Sequence, residues 1–90
     1  MESKNYIITF PQTHSMIKAE KTLREQNISL RSMPLPASLG NNCGFCIRLK
    51  EKDLNKALNI LNLTNTKGTD VYEITVLDGK ISYVKAESKT

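Results

Sequence analysis

The chain has 90 residues and carries 13 Lys and Arg against 9 Asp and Glu, a formal net charge of +4 at pH 7. A domain of that length buries only about 60–65 per cent of its unfolded surface, which argues against a deep interdomain cleft and a self-contained multistep enzyme. Hydrophobic residues at 39% and charged residues at 24% describe a globular domain, and the scattered charges predict a solvated basic surface without a dedicated nucleic-acid face.

Residues 6–10, Tyr-Ile-Ile-Thr-Phe, are β-branched and aromatic and stop at Pro11, which predicts a strand. Thr13 is placed to cap a helix running to about residue 26. Met16, Ala19 and Leu23, with Ile17 beside them, make its apolar stripe, and Glu20 and Arg24 form an i,i+4 pair on the wet side. Residues 28–33 alternate apolar and polar, as a half-buried strand does.

From Pro34 to Gly44 the chain reads Pro-Leu-Pro-Ala-Ser-Leu-Gly-Asn-Asn-Cys-Gly, a loop long for so small a domain. A strand resumes over 45–49, with Phe45, Ile47 and Leu49 on one face. A second helix begins around Asp53, where Leu54, Ala57, Leu58 and Leu61 follow the i, i+3, i+4, i+7 spacing. After a polar connection from Asn62 to Thr69, residues 71–77 form a strand expected to turn Tyr72, Ile74 and Val76 inward. Asp78-Gly79 then reads as a two-residue type I′ turn into a last strand over 80–84.

The order β-α-β-β-α-β with one hairpin strand more predicts an α+β ferredoxin-like sandwich, a single domain over 1–90 with its ordered core at about 5–84. No run of residues is apolar for long enough to cross a membrane, and the opening MESKN lacks a signal-peptide core. A cytoplasmic protein with reduced cysteines is therefore expected.

In this topology the end of the first strand, the start of the first helix and the loop between strands two and three share one end of the domain. Cys43 is thus expected near the helix start at Thr13 and His14. An ordinary thiol is only about 3 per cent thiolate at neutral pH. A helix N-terminus and a protonated His14 would raise that share, and Gly44 leaves room for a partner's active site and permits backbone angles that larger residues resist.

Phe10-Pro11-x-Thr13-His14, Lys18-Ala19-Glu20-Lys21, Pro34-x-Pro36, and Cys43-Gly44 followed by Ile47-Arg48 together resemble the Se/S carrier-like family of small domains, over roughly residues 5–63. The resemblance implies a cysteine that holds sulfur or selenium, and makes the C-terminal hairpin an addition or a divergent end. Ala37 stands where an Arg often follows the second proline, which removes a fixed guanidinium from the loop.

Each of these residues also has a plainer reading. Cys43 is either a functional thiol or a small buried hydrophobe. Cys43-Gly44-Phe45-Cys46 is a C-x-x-C, but redox versions open a helix and this one enters a strand. Cys46 is then a packed strand residue or, alternatively, a resolving thiol for Cys43. His14 is a first-turn surface residue or a group that steadies the sulfur. Cys43, Cys46 and His14 fall one ligand short of a structural metal site, so no metal and no cofactor are expected.

Two functions follow. The first is an accessory carrier rather than a self-sufficient enzyme, with Cys43 bearing a persulfide or selenosulfide, Thr13, His14, Pro34, Pro36 and Gly44 around it, and sulfur or selenium donor and acceptor proteins as partners. The second is a noncatalytic interaction or regulatory module that pairs with itself or with a partner through a sheet edge. Neither involves a membrane, and nucleic acid is not expected, because Tyr6, Phe10, Phe45, Tyr72 and Tyr83 mostly alternate as core residues do.

Overall fold

Apolar alternation fixes the sheet, and the two helices cover the face it makes apolar. The computed structural model describes residues 4–39, 44–64, 66 and 68–86. Its elements are β1 (Asn5–Thr9), α1 (Thr13–Glu25), β2 (Leu30–Pro34), a 3₁₀ turn (Ala37–Leu39), β3 (Phe45–Lys50), α2 (Glu51–Leu63), β4 (Asp70–Leu77) and β5 (Lys80–Lys85). The strands form one antiparallel sheet in the order β2-β3-β1-β4-β5. Two helices over such a sheet are consistent with a ferredoxin-like arrangement.

Tyr6, Ile8 and Phe10 alternate with Asn5, Ile7 and Thr9, so β1 presents one set to each face. The register carries that division across the sheet. Ile8 lies between Ile47 and Val71, and Leu49 is flanked by Tyr6 and Leu30. These residues join Met16, Ala19 and Leu23 of α1 and Ala57 and Leu61 of α2 in one core, with Leu54 and Leu58 packed against it.

Helix α1 ends in a Schellman motif. Asn27 takes φ 63°, its N–H donates to the Arg24 carbonyl at 3.0 Å, and the Ile28 N–H donates to Leu23 at 3.1 Å. Leu23 and Ile28 are both buried, so the cap also supplies an apolar contact. Helix α2 follows β3 directly, and Glu51 and Asp53 in its first turn favour the positive end of its dipole. Asp78 and Gly79 both have positive φ, as the type I′ turn requires. Gly68, at φ +78°, lies so close to the β1–α1 turn that an added Cβ would meet the Pro11 ring at 3.0 Å.

Several expectations need correction. Gln12, not Thr13, occupies the N-cap of α1, and no side chain caps that end. Ile17 lies outside the stripe and is 56% exposed, because a step of about 100° from Met16 turns it away from the buried face of Met16, Ala19 and Leu23. Phe45 is exposed at the first position of β3. Tyr72, Ile74 and Val76 do not face the helices: Val71 does, since it is the residue that lies beside Ile8.

Candidate functional site

Four strand ends meet at one pole of the sheet. Thr9, closing β1, pairs with Cys46 near the start of β3 and with Asp70 at the start of β4, and Pro34 pairs with Phe45. The Leu35 N–H donates to the Gly44 carbonyl at 2.9 Å, which carries the β2–β3 ladder one step into the loop. Thr13 begins α1 four residues after Thr9, so the uncapped helix start belongs to the same pole.

Cys43, the residue on which the sequence reading centres, lies outside the described residues. The chain up to Leu39 and from Gly44 onward brackets it. Pro34 is exposed in the last position of β2, and Pro36 is half-buried, its carbonyl accepting from the Leu39 N–H at 2.9 Å to close the 3₁₀ turn. Gly44 is exposed, and among the described residues none lies within 4 Å of a Cβ built there. Its φ is outside the left-handed range, so backbone conformation does not demand glycine. Thr13 and His14 are exposed on the first turn of α1.

Cys46 is different. It is wholly inaccessible on β3, beside the buried Thr9, whose hydroxyl donates to the Asp70 carbonyl at 3.4 Å. Among the described residues no three His, Cys, Asp or Glu side chains gather as a metal site would require. No helix among the described residues is long and apolar enough to cross a membrane.

The opposite face of the sheet carries Tyr72, Ile74 and Val76, which the sequence reading turned inward. Arg31 and Arg48 are cross-strand partners on it, and Tyr72 and Tyr83 occupy β4 and β5 on the same face, with β1 between the two pairs. The signal that would have found them is the register: Tyr72 lies opposite Ile7, on the other side of the sheet from Ile8.

The chain was also compared with known proteins. Residues 5–73 match the family model described as "Putative Se/S carrier protein-like". The chain belongs to this family. The Se/S carrier-like match runs ten residues beyond the expected limit at 63, past the end of α2 and into β4, so half of the hairpin's first strand is common to the family. Strand β5 falls outside it. No curated protein and no solved structure matches the chain.

Proposed function

We propose that the protein is an accessory sulfur or selenium carrier whose Cys43 thiol holds the atom, on a ferredoxin-like βαββαβ sandwich extended by the C-terminal hairpin strand. The observation that carries this reading is the family match, which spans Cys43-Gly44 and the Pro34-x-Pro36 loop together. The shared pole supports it: the strand ends that bracket the loop meet the uncapped start of α1, a setting that favours an anion. Gly44 is exposed and has no described residue within 4 Å of a Cβ built on it, which suits the approach of a partner.

The step is a sulfane exchange. The Cys43 thiolate attacks the outer sulfur of a donor persulfide, the donor's S–S bond breaks, and the donor leaves as a thiolate. A new S–S bond then carries the outer sulfur on Cys43, with no net oxidation. A donor perselenide would hand over selenium in the same way. Passing the atom on repeats the exchange, with the acceptor's thiolate as nucleophile and the Cys43 thiolate as leaving group. Cys46 would resolve a loaded Cys43 only if the β2–β3 end opened, since its side chain is buried.

Incubating the reduced protein in the cytoplasmic pH range with a cysteine desulfurase and cysteine, then weighing it intact, tests the reading. Wild type and Cys46→Ala are expected to gain the mass of one sulfur, removable by thiol reductant, and Cys43→Ser is expected to gain none. Equal labelling of wild type and Cys43→Ser, or none of either, overturns it.

A second reading has an observation of its own. The β4–β5 hairpin leaves Val76, Leu77, Ile81 and Val84 more than half exposed, and β5 is a sheet edge. An interaction or regulatory module would use such a strand for pairing. Light scattering that finds a dimer abolished by Val84→Lys on the edge supports this reading over the first.

A further inference from the structure

The sheet face turned away from the helices is neither uniformly polar nor uniformly apolar. Its register sets Arg31 opposite Arg48, Ile74 opposite Tyr83, and Val76 opposite Ile81, while Tyr72 sits diagonally from Tyr83. Two clefts open on it and share Asn5 and Arg48. One, of about 290 Å³, is lined by Ser29, Arg31 and Lys50; the other, of about 470 Å³, is lined by Met33, Ile74, Val76, Ile81, Tyr83 and Lys4. A cationic cleft therefore adjoins an apolar and aromatic one.

The arginine pair calls for an explanation. Like charges directly opposite on neighbouring strands destabilise a sheet. Among the described residues, none of Arg31, Arg48 and Lys50 has a carboxylate within ion-pairing distance. The ion pairs formed there are Lys4 with Glu73, Glu20 with Arg24, and Lys85 with Asp70. Arg31, Arg48 and Lys50 are all exposed. Their field is left for an anion from outside.

From this charge and this pairing of clefts we infer that the open sheet face binds single-stranded nucleic acid, a site independent of Cys43 and of the carrier reading. Phosphates would meet Arg31, Arg48 and Lys50, and unstacked bases would lie on Tyr83, Ile74 and Tyr72, with the Arg48 guanidinium as a further stacking plane. A second copy of this chain fits less well, because it would bring another arginine pair to the same face. An acidic protein would use the cations and leave the aromatic positions unexplained. A duplex keeps its bases stacked and cannot use them either. The expectation against nucleic acid rested on scattered charges and on Tyr6, Phe10, Phe45, Tyr72 and Tyr83 alternating as core residues do; the register puts two of these, Tyr72 and Tyr83, on the face away from the helices.

The test is fluorescence anisotropy with a labelled mixed-sequence RNA strand about a dozen nucleotides long, alongside the matching DNA strand and the RNA duplex. Both single strands are expected to bind at low salt and more tightly than the duplex. Tyr83→Ala should weaken binding roughly tenfold with little change in salt dependence. Arg48→Ala should lower the slope of log affinity against log salt by about one. Lys21→Ala, on the exposed face of α1, should change neither, and circular dichroism of each variant checks that it is folded. No binding at low salt overturns the inference. So does a duplex bound as well as the strands, or a loss from Lys21→Ala equal to that from Arg48→Ala in folded variants.

Discussion

On the face covered by α1 and α2, Ile8, Leu23 and Ile47 are wholly inaccessible; on the hairpin, Val76 and Ile81 expose 65% and 62%. Both regions are built from the same β-branched and aliphatic residue types, so composition does not separate them. What separates them is cover. The helices lie over one face of β1, β2, β3 and the start of β4, where Val71 joins the core, whereas the register puts Val76 and Ile81 on the other face of the sheet. The same side chain therefore contributes stability in one region and surface in the other.

Substitutions can break or sharpen that contrast. Phe10→Ala, in the covered region, should cost about 3–5 kcal/mol, much of what a small domain has, and urea denaturation would read it. Ile81→Thr, on the hairpin, should stay within about 0.5 kcal/mol. Equal losses at the two positions would mean that the hairpin is covered in solution.

The Schellman cap gives an effect of middle size. Asn27→Ala forces a Cβ-bearing residue without Asn's local hydrogen bonding into φ 63° and should cost about 1 kcal/mol, whereas Asn27→Gly should be neutral or better. Failure of glycine to match asparagine would show that the side chain, not the backbone angle, matters there.

Tyr6 separates the faces by pH. Burial, helped by the Glu73 and Glu51 carboxylates and opposed by Lys4, raises its hydroxyl above the usual value of 10.0. The folded state then holds the proton more firmly than the unfolded chain. Its contribution is intact below pH 10 or so and fades as pH climbs through the folded value. Thermal melts from pH 9 upward should show that decline, and Tyr6→Phe should flatten it.

The smallest effect belongs to the wet side of α1. Arg24 meets Glu20 at 2.9 Å, but its side chain is 54% exposed, so Arg24→Ala should cost no more than about 0.5 kcal/mol and less in high salt.

The sequence made the order of elements legible, because periodicity and punctuation are local. Met16, Ala19 and Leu23 announce α1, and Asp78-Gly79 announces its turn. The facing of β4 was not legible. Val71-Tyr72-Glu73-Ile74-Thr75-Val76-Leu77 has apolar residues on both parities, and the more apolar set, Tyr72, Ile74 and Val76, is the one that faces away from the helices. Only pairing with Asn5–Thr9, more than sixty residues earlier in sequence, decides between them. Phe45 and Ile17 failed for a related reason: each has a core residue's chemistry but sits just past the reach of the layer above or below. Of the candidate site, the flanks were legible through Pro34, Pro36 and Gly44 and the shared pole through topology, while the cap at Thr13 was misread by one residue.

Gly68 ties two distant stretches of chain together by what it lacks. With its added Cβ only 3.0 Å from the Pro11 ring, any larger residue must push the β1–α1 turn outward or retreat from it. The missing methyl acts as a spacer gauge for the pole where the helix start and the strand ends converge. Alanine at 68 would therefore be felt first as a shift in Pro11 and the opening turn of α1, at the far end of the sequence from the change itself.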